Sequence, residues 1–278
     1  MLLYTPLSHE DEQILHYKLQ RALPWDFLWK LEILSHRDIT YKTGQGVAYD
    51  RHFLVQHAKA EYVYMIDHDN EFDEMLFENT IMRYDRLSGH FGSDLVLSPT
   101  ICQDDDAHIQ SQGITGFSYL FPKYTYRAIP ADQDRQTVHM IGANSLFGPR
   151  RLFQKFQFDP VLEWSYEDID FTRRLTRAGY PLVVVKNLKT IHKEWPRSFL
   201  QTRFLSTPRS AYLRGRNRCI FIKKTATTRQ KVQYFAIWVW IQTIGFSRRI
   251  SRYGGKTRKE IIKSLRQGTV DGIRYRVA

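Results

Sequence analysis

Residues 62 to 72, YVYMIDHDNEF, run an apolar strand directly into a cluster of acids. Tyr62, Val63, Tyr64 and Ile66 are β-branched or aromatic and Met65 is apolar, the composition of a strand buried on both faces. Asp67, His68, Asp69, Asn70 and Glu71 follow at once. Two carboxylates one residue apart repel each other, so the end of this strand calls for solvent or for a cation between them.

The surrounding pattern says where such a strand end sits. MLLYTP is a short apolar run, and HEDEQILHYKLQRAL places Ile14, Leu15, Tyr17, Leu19 and Leu23 at helical spacing. LWKLEIL reads as a second strand, DRHFLVQHAKA as a helix, YVYMI as a third strand and LVLSPT as a fourth. Strands alternating with helices predict an α/β chain, a mostly parallel sheet flanked by helices. Such sheets bind ligands beyond the carboxyl ends of their strands, where the acids after Ile66 fall. Residues 102 to 140 are polar and irregular, with Asp104 to Asp106, Pro122 and Pro130, and read as a long functional loop. SYEDIDFTRRLTRAGYPLVVV predicts a helix and then a strand: Ser165 as N-cap, Phe171, Leu175 and Ala178 on one face, and Gly179 as the stop.

Charge divides the chain in two. Residues 195 to 278 carry 20 Lys and Arg against only Glu260 and Asp271, whereas residues 1 to 194 carry 21 basic and 27 acidic residues. We therefore expect a body over 1–195 and a basic, mainly helical region over 196–278 with an anionic partner. VQYFAIWVWIQTIGF, at 232 to 246, is its most apolar piece, too short and too interrupted by Gln233, Gln242 and Thr243 to span a bilayer. Basic clusters, RNRCIFIKK and RRISRYGGKTRK, flank it. This is the pattern of a helix lying on an anionic membrane surface, or of a core helix with a solvated basic exterior. No recognised nucleic-acid module is visible, which disfavours that partner. Two widely spaced cysteines, Cys102 and Cys219, and an N-terminus with no basic n-region or long apolar stretch point to the cytoplasm, and the basic region to a peripheral place at the inner face of the membrane.

Three groups can carry chemistry. Asp67 and Asp69 can share Mg²⁺ or Mn²⁺, or can form a solvated turn. Glu167, Asp168 and Asp170 open a helix, where Ser165 with Asp168 can form a capping box and Asp170 can pair with Arg173 or Arg174. One of these carboxylates can instead face a cleft as a general base. His192 follows the strand LVVV, an ordinary structural position that would also allow it to complete a metal's coordination.

The order of these pieces resembles a family 2 glycosyltransferase of the GT-A fold across nearly the whole acidic body. LLYTPLSHEDEQILHYKLQRAL resembles the opening strand and helix, and GQGVAYDRHFLVQHAKAEYVYMIDHDNEF the approach to the D-x-D motif. IGANSLFGPRRLFQKFQFDPVLEWSYEDIDFTRRLTRAGYPLVVVKNLKTIHKE resembles the acceptor-side signature, with its FD, EDxD, R-L-x-x-A-G-Y and terminal histidine. YLRGRNRCIFIKK is similar to the post-catalytic segment of bacterial rhamnosyltransferase-like members.

The resemblance implies a nucleotide-diphosphate sugar donor, Mn²⁺ or Mg²⁺, inversion at the anomeric carbon, and a glycan or polyprenyl-linked acceptor in cell-surface polysaccharide synthesis. It implies Asp168 as the base, Asp67, Asp69 and His192 at the metal, and Pro6, Asp38, Arg51, Asp67 and His68 at the nucleotide. Glu167, Trp164 and Asn144 would meet the acceptor. The family's DDGS-like turn is absent near Asp38, and His52 stands where an asparagine usually follows Arg51. Two other readings remain: a sugar-nucleotide pyrophosphorylase, which would carry a glycine-rich phosphate loop that LLYTPLSHEDEQ lacks, and a non-catalytic relative that binds membrane or nucleic acid through its basic region.

Overall fold

The computed structural model describes residues 2–5, 32–35, 46–67, 70–103, 108–119, 123–192, 205–253 and 255–277. The helix expected over 9–23 lies outside them, as do Pro6, Asp38, His68 and Asp69. Strand β1 (Leu2–Thr5) pairs in parallel with β2 (Glu32–Ser35) and lies beside β3 (Tyr62–Ile66). Helix α1 (Val47–His57) precedes β3, and β4 (Asn70–Glu71), α2 (Leu76–Phe91) and β5 (Val96–Gln103) follow it.

The main sheet is mixed. β10 (Ser145–Pro149) is antiparallel to both β3 and β5, so those two strands run the same way; β11 (Leu182–His192) is parallel to β5. β3, β5 and β11 therefore end at one edge, and β10 begins there. The two-residue period of YVYMI fills both layers. Val63 and Met65 pack with Leu54 and Val55 of α1, Phe153 of α3 (Arg150–Phe156), and Phe171 and Leu175 of α4 (Glu167–Arg177). Tyr64 and Ile66 pack with Leu76, Phe77, Tyr84 and Leu87 of α2. With helices on both faces each of these strand side chains finds apolar neighbours, at about 1.5–3 kcal/mol for each large one fully buried.

The stretch expected as a long irregular loop contains four strands among its described residues. β6 (His108–Ser111) extends β5, β7 (Gly116–Ser118) and β8 (Lys123–Thr125) form a hairpin, and β9 (Arg135–Thr137) pairs with β11. Backbone lying against the protein has to satisfy its amides, and strand pairing does so here.

The C-terminal extension is helical. Thr207 and Ser210 form a capping box at the start of α5 (Pro208–Thr225), with Pro208 in the first turn. α6 (Thr228–Gln233) leads through a π-helical turn, Tyr234–Trp238, into α7 (Val239–Tyr253), and α8 (Arg258–Arg274) packs back on α5. Two glycines permit that approach: a Cβ on Gly215 would come within 2.5 Å of the Leu265 carbonyl oxygen, and one on Gly268 would overlap that of Tyr212. Cys219, Phe221, Ile222, Tyr234 and Val239 share a buried cluster with Tyr119 and Tyr166 of the body. The extension is thus packed onto the end of the molecule where α4 begins.

Candidate active site

Asp67 leaves β3 at the carboxyl edge of the sheet, where its backbone N–H donates to the Asn144 carbonyl at 2.9 Å. Asn70 closes the turn, its backbone N–H and side-chain Nδ2 both donating to the Asp67 carbonyl at 3.2 and 3.0 Å. β4 then pairs antiparallel with the end of β11, in a register that sets His192 opposite Asn70. The strand pair thus brings the expected histidine to the position opposite Asn70, three residues after Asp67.

Arg51 crosses from α1 to join this turn to the next acidic group. Its Nη2 donates to Asp67 Oδ1 at 2.8 Å and its Nη1 to Glu167 Oε1 at 3.1 Å. Burial works against the Arg51 charge, but Asp67, Glu167 and Asp168 together more than offset it, and its pKa is raised. Arg51, expected at the nucleotide, is buried between two carboxylates. Glu167, expected at the acceptor, is buried with it.

The three acids of α4 have separate surroundings. Asp170 is fully buried and bonded by Arg174 at 2.8 Å and Lys224 at 2.7 Å. Burial, and then the Asp168 charge, push the Glu167 carboxyl up to about 8 against the pull of Arg51. Asp168 is only half-buried; burial raises its pKa, while Arg51 and the N–H groups of Ile169 and Ala143 oppose the rise. The Asp168 Oδ2 lies 3.4 Å from the Ala143 nitrogen, and a Cβ at Gly142 would sit 3.2 Å from the same oxygen.

The expected capping box is absent. Ser165 and Tyr166 both have φ of 75°, Tyr166 takes the N-cap position with no side-chain bond, and the buried Ser165 hydroxyl has no hydrogen-bond partner among the described residues. A left-handed backbone at Ser165 is incompatible with the extended geometry of a capping serine. The turn is held from outside instead. Asn217 of α5 donates through Nδ2 to the carbonyls of Leu162, Trp164 and Ser165, the last two at 3.0 Å, and the Ala48 N–H donates to the Glu163 carbonyl at 2.8 Å.

The half-exposed rim carries Trp164 and the β7–β8 hairpin, whose Tyr124 lies near Tyr166, Arg214 and Asp168. The Arg214 guanidinium, from α5, sits 4.8 Å over the Tyr166 ring. Sequence reading missed Asn217 and Arg214 as parts of this site. Both lie in YLRGRNRC, a string whose charge is visible in the sequence while its packing against residues 162–166, some fifty positions away, is not.

The buried Oδ1 atoms of Asn70 and Asn144 have no hydrogen-bond partner among the described residues, and both lie beside the Asp67 turn. Both are hard oxygen donors, of the kind that suits Mg²⁺ or Mn²⁺. Among the described residues no group of three or more His, Cys, Asp or Glu is placed to hold a metal, and Asp69 lies outside them.

No protein-family model matches the sequence, and no curated protein matches it. Solved structures do. GalNAc-T7 with UDP, GalNAc and Mn²⁺ aligns at a TM-score of 0.54 and 13% identity, over 96% of this chain and 48% of that one. TarS residues 1–349 from S. aureus aligns at 0.44 and 14% identity over 97% and 80%, and its complex with UDP-GlcNAc at 0.45 and 14% over 97% and 81%. The chain spans about half the length of GalNAc-T7. At such identity the likeness shows the fold: a GT-A-type α/β body with a helical C-terminal extension, as the sequence led us to expect.

Proposed function

We propose that this chain is an inverting, family 2-like glycosyltransferase, related to the rhamnosyltransferase-like enzymes of cell-surface polysaccharide synthesis. The observation that carries this reading is Asp168: a partly buried carboxyl of raised pKa, at the carboxyl edge of a GT-A-type sheet, beside the turn that follows β3. A carboxylate of raised pKa is a better proton acceptor at neutral pH. In the proposed reaction Asp168 takes the proton of an acceptor hydroxyl. The acceptor oxygen bonds to the anomeric carbon as the bond from that carbon to the diphosphate breaks, and the nucleotide diphosphate leaves from the opposite face.

A Mn²⁺ or Mg²⁺ held by Asp67, Asp69 and His192 would supply neutralisation of the charge on the leaving diphosphate. Trp164, Asn144 and Tyr124 would border the acceptor, a glycan or a polyprenyl-linked sugar. The body over 1–195 would hold both substrates, and the extension over 196–278 would fix the turn before α4. GalNAc-T7, solved with UDP and Mn²⁺, makes that pair the first to try.

The test is thermal shift with UDP, dTDP and GDP, each with and without Mn²⁺, on wild type and Asp168→Asn. We expect one nucleotide to stabilise both proteins only when the metal is present, and Asp168→Asn to lose at least about a thousandfold in sugar transfer. Stabilisation by none of the three, or full turnover by Asp168→Asn, would reject the reading.

A further inference from the structure

The run from Thr228 to Tyr253 is apolar on both of its sides. The face turned to the protein carries Tyr234, Val239, Thr243, Ser247 and Ile250. The opposite face carries Val232, Ile237, Trp240, Ile241 and Ile244, each between 47% and 64% exposed. The inward hydroxyls are satisfied locally: Thr243 donates to the Val239 carbonyl at 2.6 Å and accepts from Arg218 at 3.1 Å, and Ser247 donates to the Thr243 carbonyl at 2.8 Å. A helix bordered by water keeps its outward face polar.

Charge identifies what covers this face. Ile237, Trp240, Ile241 and Ile244 follow helical spacing, and the same row continues into the exposed Arg248 and Arg252. Arg229 is exposed at the opposite end, and residues 195 to 259 contain no Asp or Glu. We infer that this face docks on a membrane surface bearing anionic lipid headgroups, with the apolar row entering the headgroup boundary and the arginines at its ends meeting phosphate. A second copy of the chain fits less well, because pairing two such faces would bring arginine rows together with no carboxylate between them. Among the described residues no helix is long and apolar enough to cross a membrane, so the contact is with its surface. The inference is independent of the transferase reading, since its test uses neither sugar nor nucleotide.

The experiment is co-sedimentation of the full chain with vesicles of phosphatidylglycerol and phosphatidylcholine in equal parts, and with phosphatidylcholine alone, at low and high salt. Wild type should partition onto the anionic vesicles at least about tenfold more strongly than onto neutral ones, and should weaken with salt. The triple variant Trp240→Ser, Ile241→Ser, Ile244→Ser should lose at least about tenfold in binding at an unchanged melting temperature. Should that variant unfold, Ile237→Ser alone carries the same comparison. Equal binding to neutral vesicles, or anionic binding indifferent to the apolar substitutions, would overturn the inference. So would a stable dimer in solution that Ile237→Ser splits, with no vesicle binding.

Discussion

At Arg51 one buried guanidinium faces three carboxylates, those of Asp67, Glu167 and Asp168. Burial favours retention of a proton on the Glu167–Asp168 pair, and the excess of negative charge adds to that preference. The consequence for stability has a definite sign. The folded Glu167 is raised from 4.5 to about 8, so between those values the unfolded chain releases a proton that the native state keeps. This contribution is fully present below the unfolded value and is lost as pH rises through the folded one. The slope is at most about 1.4 kcal/mol per pH unit. Glu167→Gln should therefore flatten the fall in melting temperature between roughly pH 5 and pH 8. Melting curves of the two proteins across that range check it, and parallel profiles would show that Glu167 does not titrate there.

At the scale of the element, the turn before α4 is where the sequence is least legible. The strand YVYMI, the helix before it and the stop at Gly179 can be read directly, because period and glycine chemistry are local. The acids after Ile66 and His192 can be placed at one edge for the same reason. The backbone of Ser165 and Tyr166 cannot, since a left-handed conformation at non-glycine residues persists only when distant groups enforce it. Asn217 is such a group. Asn217→Ala would leave the Ser165 and Leu162 carbonyls buried without their donor, at a cost of about 1–3 kcal/mol. On the proposed function it should also lower turnover more than the affinity for nucleotide, because it loosens the turn carrying Asp168. Denaturant melts and a split between kcat and KM test this; an unchanged kcat would show that the turn holds itself.

For the whole molecule, the question is whether the basic extension is an appendage or part of the folding unit. Net charge marks a boundary near residue 195, and charge alone says nothing about packing. Lys224 of α5 reaches Asp159 at 2.8 Å and Asp170 at 2.7 Å, and Arg216 reaches Glu163 at 2.8 Å. Phe221 lies against Tyr166 and Phe117, their ring centres 5.4 and 5.7 Å away. Cutting the chain at residue 195 would leave the fully buried Asp170 with Arg174 as its one remaining ion-pair partner among the described residues, and would uncover Tyr119 and Tyr166. Each large apolar side chain that the cut uncovers forfeits about 1.5–3 kcal/mol, and several together are a large share of the roughly 5–15 kcal/mol by which a typical domain is stable. We therefore expect the 1–195 fragment to be insoluble, or to lack a cooperative thermal transition. Calorimetry on the fragment and the full chain decides the matter: a fragment melting cooperatively within a few degrees of the full chain would make the body a unit that folds alone.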